Sequence, residues 1–350
     1  MKTTRIFTLT LLLYFPLIFV CAQNNNLISN HDFEQKEFCP YQYTTRPDRL
    51  PFSSWFSPNN GTPDLFDHCS EVNGVPKNFA GVSYANSGDA YAGLYLGAKH
   101  KDYKEYLSQK FYQPLTPGVY TVRLNVKLAS FSGYEVDSIH LAFGDQLPNW
   151  LTDTTIQQDS FSIVVNLPLS KVESVNWHMV TTQITIDDTV KFFTIGNMEM
   201  FEQLSIKKRN SKNWRNTMVD EFAFYYLDDI TLIKNSQETF KYYKKHGNLF
   251  SFENVYFEFD SYTILDESNE NLMDLAAFLN KDEDAKLLIY GYTDSLGTLN
   301  YNQMLSYNRA AAIKKELVAL KVPTSQIRIV PIGEINGIEP QNRKVEFLLK

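Results

Sequence analysis

Apolar and polar positions alternate with a period of two over much of the span from Asn26 to Ile233, the spacing of half-buried strands. The clearest case is Tyr120–Leu128. Tyr120, Val122, Leu124, Val126 and Leu128 share one face, while Thr121, Arg123, Asn125 and Lys127 share the other. The turn signal Leu115-Thr-Pro-Gly118 precedes it. Further strands are predicted at Ser138–Phe143, Phe161–Leu167, His178–Ile186, Val190–Ile195 and Asp229–Ile233. Short strands separated by turns, with little helical signal, predict an all-β sandwich or jelly roll over residues 26–233. The polar and basic segment 234–249, with Lys241-Tyr-Tyr-Lys-Lys-His-Gly247, reads as a linker whose charged face is solvated.

Beyond it the period changes. Val255, Phe257 and Phe259 alternate as a strand, whereas Leu272, Leu275, Ala276 and Leu279 recur at helical spacing. Lys286–Tyr290 is a second strand, Asn300–Leu320 a long helix halted by Pro323, Ile327–Val330 a third strand, and Val345, Phe347 and Leu349 mark a fourth. The order βαβαββ predicts two helices on one sheet across residues 250–350. The chain is therefore read as multidomain, an all-β part followed by an α/β part.

Residues 1–22 have another pattern. Lys2 and Arg5 precede an apolar run from Ile6 to Val20, and Val20 and Ala22 sit at signal-peptidase spacing, so a signal peptide with cleavage before Gln23 is expected. The run is short for a bilayer span, and no later stretch reaches 18 apolar residues, so no transmembrane helix is expected. Cys21 raises lipidation as an alternative, although Phe19 and Val20 make a poor lipobox. Export makes the remaining pair, Cys39 and Cys69, a candidate disulfide; His68 beside Cys69 lacks the paired spacing of a zinc site.

Composition narrows function more than fold. The 350 residues are 43% hydrophobic and 21% charged, an ordinary globular balance. The net charge of −7, with 33 Lys+Arg against 40 Asp+Glu, offers no basic face for nucleic acid. Aromatic residues reach 14%, a bias suited to packing on pleated surfaces. Trp55, Trp150, Trp177 and Trp214 are candidate stacking platforms for a sugar, against the alternative of core or edge packing. No H-E-x-x-H or G-x-S-x-G is present, and adjacent carboxylates such as Asp228-Asp229 point to opposite faces of a strand, so no enzyme is expected.

Two resemblances add to this reading. The segments Leu27-Ile-Ser-Asn-His-Asp-Phe-Glu34, Gly61-Thr-Pro-Asp-Leu-Phe66, Gly88-Asp-Ala-Tyr-Ala-Gly93 and Leu227-Asp-Asp-Ile-Thr-Leu232, with Trp55, resemble the galactose-binding-like jelly rolls of carbohydrate-binding modules and exported bacterial proteins. The resemblance implies a glycan or envelope-protein partner, and a structural calcium with Glu34, Asp89 and Asp228 as carboxylate ligands. The segments Phe257-Glu-Phe-Asp-Ser261, Gly291-Tyr-Thr-Asp294, Asn302-Gln-Met-Leu-Ser-Tyr-Asn-Arg-Ala310, Gly333-Glu334 and Asn342-Arg-Lys-Val-Glu-Phe347 resemble the OmpA-like peptidoglycan-binding domain in order and spacing. That resemblance implies binding to diaminopimelate in peptidoglycan stem peptides, at the periplasmic face of the outer membrane or in the periplasm, with no cofactor.

The chemistry suits the residues it lands on. Diaminopimelate offers an ammonium and a carboxylate on one carbon. Asp294 can accept from the ammonium, and Arg309, fifteen residues on, can clamp the carboxylate as a fork. Asn302, two turns before Arg309 on the same helix face, supports loop or ligand, and Thr293 and Leu296 shape the pocket. Arg343 is read as structural or peripheral. The alternatives are an outer-membrane β-barrel formed by residues 26–233 and a glycan-active enzyme carrying a wall anchor.

Overall fold

A computed structural model describes residues 26–147, 151–209, 218–252, 257, 261–264, 269–335 and 342–350. The expected signal peptide, Cys21, Trp150, Trp214 and most of the strand expected at 255–259 lie outside the described residues. Of that strand Phe257 is described, bridged to Ile264.

The N-terminal part begins with β1 (Asp64–Asp67), a ribbon of β2 (Lys77–Asn78) and β3 (Gly81–Val82), then β4 (Ala90–Ala98), β5 (Tyr106–Leu115) and β6 (Gly118–Leu128). It continues through β7 (Tyr134–Val136), β8 (Ser138–Gly144), β9 (Ile163–Pro168), β10 (His178–Ile186), β11 (Val190–Gly196), β12 (Ile206–Lys208) and β13 (Phe222–Lys234). One sheet runs β1-β4-β13-β6-β10 and a second β5-β11-β8-β9, with β7 and β12 forming a further ribbon. All pairings in these two sheets are antiparallel.

The two sheets share one apolar core. Tyr120, Val122, Leu124, Val126 and Leu128 of β6 meet Leu107, Leu141, Phe143, Phe193 and Ile195 of the second sheet, as the alternation in β6 requires. Lys127 departs from that alternation. It is buried, its ammonium 6.0 Å from the Trp177 ring, because a lysine stem can cover apolar surface. β4 and β13 are buried on both faces. Their second face carries Tyr91, Phe224 and Tyr226, which pack with Phe66 of β1 and with Ala80 and Phe79.

The segment expected to be a linker is instead helix α1 (Ser236–His246) followed by β14 (Leu249–Phe250). The Asn235 side chain caps α1 by accepting from the Glu238 amide, and Gly247 ends it at φ 65°, a conformation that favours glycine. Phe240 and Tyr243, three apart, bury one face, while Lys244, Lys245 and His246 sit in the last turn, where the helix dipole favours cations. The basic run that suggested a linker is thus the wet side of an amphipathic helix.

Next come α2 (Asn269–Lys281), β15 (Leu287–Thr293), α3 (Leu299–Ala319), β16 (Ile327–Glu334) and β17 (Val345–Leu349). The sheet order is β14-β17-β15-β16, with β15 and β16 parallel and β17 antiparallel to β15. Leu272, Leu275, Leu279, Ile313 and Leu317 pack from the helices onto Leu287, Ile289, Phe347 and Leu349 of the sheet. Phe240 and Tyr243 of α1 join this second core. No helix among the described residues is long and apolar enough to cross a membrane.

Candidate functional site

The most developed polar site lies where β15 runs into α3. Gly291 lets the two approach closely: a Cβ there would stand 2.0 Å from the Ser306 carbonyl oxygen. The next residues leave the strand as a loop, Asp294 to Thr298, that ends on the N-terminus of α3. Gly297 has φ +113°, and the Thr298 hydroxyl caps the helix by accepting from the Tyr301 amide. The loop therefore faces the positive end of a 21-residue helix.

Within this frame Asp294 is buried and accepts at Oδ2 from Nε of Arg343, 2.9 Å away. The Leu296 amide lies 3.4 Å from its Oδ1. Arg309, expected to stand opposite Asp294, is only 1% exposed. It donates through Nε to the Ser261 carbonyl and through Nη1 to the Tyr292 carbonyl, both at 3.0 Å, and its guanidinium sits 5.3 Å from the Phe257 ring. Among the described ion pairs, Asp294 is held by Arg343 rather than by Arg309. Arg309 fixes the end of the strand that delivers Thr293 and Asp294.

Two further atoms complete the arrangement. Asn302 donates to Glu334 Oε2 at 2.8 Å, but its Oδ1 is buried with no partner. Thr293 Oγ1 is likewise buried and unpartnered. Buried polar atoms without partners cost roughly 1–3 kcal/mol each, so they mark places where a bound molecule has something to offer. The site thus joins an acceptor carboxylate, two guanidinium groups, two orphaned oxygens and a helix N-terminus. Arg343, expected to be structural or peripheral, is the ion-pair partner of Asp294, and Glu334 accepts from Asn302. Both lie in the quoted Asn342-Arg and Gly333-Glu334 motifs, but nothing in their spacing reveals that they fold back onto the loop and α3.

The other sequence candidates resolve differently. Cys39 and Cys69 form a disulfide, with Cα atoms 6.1 Å apart. Trp55 is a core residue whose indole donates to the Asn30 carbonyl, and Trp177 packs against Tyr91 and Tyr226, so packing accounts for both. Two of the expected calcium ligands, Glu34 and Asp228, accept from backbone amides. Glu34 Oε1 accepts from the Asp89 and Ala90 amides. Asp228 Oδ2 accepts from the Asn86 and Ser87 amides, and burial next to Asp229 pushes its carboxyl up to about 8. No group of three or more His, Cys, Asp or Glu among the described residues could hold a metal ion.

Sheet, helices and loop define an α/β domain that carries this buried polar cluster. Residues 256–347 match the OmpA family, and the C-terminal part of this chain is an OmpA family domain. A peptidoglycan-associated lipoprotein of Buchnera aphidicola is 34% identical over 113 residues, 32% of this chain and 62% of that protein. One from Pasteurella multocida is 41% identical over 83 residues, 24% of this chain and 55% of that protein. The crystal structure of the peptidoglycan-associated lipoprotein from Burkholderia pseudomallei is 33% identical, with 27% of this chain and 88% of that chain covered and a TM-score of 0.27. The chain thus spans somewhat more than half the length of these curated relatives.

Proposed function

We propose that this is a non-catalytic, peptidoglycan-binding protein of the cell envelope, exported to the periplasm or the periplasmic face of the outer membrane. Its C-terminal domain tethers the N-terminal β-sandwich to the wall by recognising diaminopimelate in stem peptides. The observation that carries this reading is the pair of orphaned oxygens, Thr293 Oγ1 and Asn302 Oδ1, on either side of the Asp294 loop. Resemblance to peptidoglycan-associated lipoproteins, with residues 256–347 matching the OmpA family, supports it. Asp294 accepts from the ligand ammonium. Arg309 lends its charge to the ligand carboxylate, its plane fixed by the Ser261 and Tyr292 carbonyls. The orphaned oxygens accept from ligand N–H groups.

The N-terminal part is proposed as the cargo end, presenting a binding surface to another envelope component. Its strands form two sheets around a filled core, which favours this reading over a lipid-facing barrel. The test is co-sedimentation of the mature protein with diaminopimelate-type sacculi. Asp294→Ala leaves the ligand ammonium unpaired and should weaken binding by about 2–5 kcal/mol. Wild-type protein that stays in the supernatant, or a folded Asp294→Ala variant that sediments equally, refutes the proposal.

A further inference from the structure

We propose that an open cleft of about 410 Å³ on the N-terminal domain, walled by Tyr43, Phe79, Tyr95, Tyr103 and Phe222, binds an alkylammonium group at the seat now taken by Lys101. The rings come from five places in the chain, Phe79 from the turn between β2 and β3. Tyr43 belongs to the loop closed by the Cys39–Cys69 disulfide, Tyr95 to β4, Tyr103 to the β4–β5 connection and Phe222 to β13. Tyr95, Tyr103 and Phe222 are mutually packed, with centroids 4.5, 5.7 and 5.9 Å apart and planes inclined by 57°, 68° and 76°. Rings set at such angles make a corner rather than a platform. A sugar stacks on a flat exposed face, whereas a cation gains from several ring faces converging on one point. A cation already occupies this one: Lys101 Nζ lies 4.6 Å from the Tyr103 centroid and 5.2 Å from that of Phe222.

Two carboxylates lie in and behind the cleft. Asp64, on its lining, is 2% exposed and Glu105, behind Tyr103 and Tyr95, is 0% exposed. Neither makes an ion pair among the described residues. Their bonds come from neutral donors: the Thr44 amide and Asn73 to Asp64; Thr62, the Tyr103 hydroxyl and the Tyr95 amide to Glu105. Burial pushes Glu105 up to about 7, and burial beside Glu105 pushes Asp64 well above its usual range. A cation bound beside them favours their ionised form, and at pH 8 an ionised Glu105 without a counter-ion in turn favours a cationic ligand. Lys101 is exposed and on a flexible stem, so an ammonium bearing its own apolar stem can displace it and lay that stem along Tyr43 and Phe79.

The test uses the mature protein and n-butylammonium chloride as the probe, titrated by calorimetry at pH 8 and low salt, with n-butanol as the neutral match and methyl glucoside as a sugar. The expected result is saturable binding of n-butylammonium and binding at least about tenfold weaker for n-butanol. Lys101→Ala should tighten n-butylammonium binding about tenfold by vacating the seat, with sedimentation on sacculi unchanged; Phe222→Leu, checked for native Trp emission, should weaken it about tenfold. Binding seen only in Lys101→Ala also supports a self-occupied seat. The proposal is overturned if Lys101→Ala binds n-butylammonium no better than wild type, if n-butanol binds equally well, or if methyl glucoside alone binds.

Discussion

Replacing Arg309 with alanine should unfold the C-terminal domain far more readily than replacing Arg343, although both arginines serve one site. Arg309 is buried and holds two backbone carbonyls. Charge-assisted bonds of this kind contribute about 1.5–3 kcal/mol each, and the Phe257 ring adds about 0.5–2 kcal/mol. Desolvation of the guanidinium offsets part of that sum, leaving an expected loss of about 3 kcal/mol. Arg343 keeps 18% of its side chain exposed and makes one described ion pair, so its removal should cost about 1 kcal/mol. With a urea slope of about 2 kcal/mol/M for a domain of this size, the midpoints should fall by about 1.5 M and 0.5 M.

The assay can separate the two domains. All four Trp lie before residue 233, whereas α1, α2 and α3 all begin after it. Circular dichroism at 222 nm therefore follows the C-terminal domain, and Trp emission follows the sandwich. Arg309→Lys should recover part of the midpoint, because it restores charge without the fork. Equal midpoints for Arg309→Ala and Arg343→Ala would refute the view that Arg309 is a strut for the Asp294 loop.

Three further expectations concern the rest of the molecule. Joint Cys39→Ser and Cys69→Ser substitution opens a 30-residue loop and should destabilise the sandwich by about 3–4 kcal/mol on the chain-entropy account, read as an earlier Trp transition in urea; an unshifted transition counts against it. Sandwich stability should fall as pH rises from 5 to 8. Burial raises Glu105 to about 7 and Asp228 to about 8, so both favour the folded state below their unfolded values near 4, and that contribution is lost as pH climbs through the folded ones. His140, lowered to about 4 by burial, works in the opposite direction by about 2 kcal/mol, against about 6 kcal/mol for the two carboxylates. Urea midpoints that rise across this range would show that the carboxylates are ionised in the fold. Finally, Gly291→Ala forces a Cβ against the Ser306 carbonyl and should cost about 3 kcal/mol in the 222 nm transition; an unchanged midpoint would show that β15 and α3 can separate freely.

Periodicity by itself determined those elements that have one wet face. β6, β10, α3 and β17 fall within a residue or two of where alternation or helical spacing places them, because water on one side and core on the other imprint a period on the sequence. β4 and β5 carry less imprint: β4 is covered on both faces, and the buried first half of β5 includes Ser108 and Gln109, which pair with Thr194 and Ser29. The cysteine count in an exported context was enough for the disulfide, and local motifs were enough to put Thr293 at the end of β15, Asp294 and Leu296 on the loop after it and Asn302 and Arg309 on α3. Partner choice inside that site was a tertiary matter. Asp294 pairs with Arg343, 49 residues away, and Arg309 with the Ser261 carbonyl, 48 residues away. The carboxylates Glu34 and Asp228 turn toward amides from a turn distant in sequence. Spacing along a chain records which face a side chain occupies, but which group it meets across a gap is decided only when the elements dock.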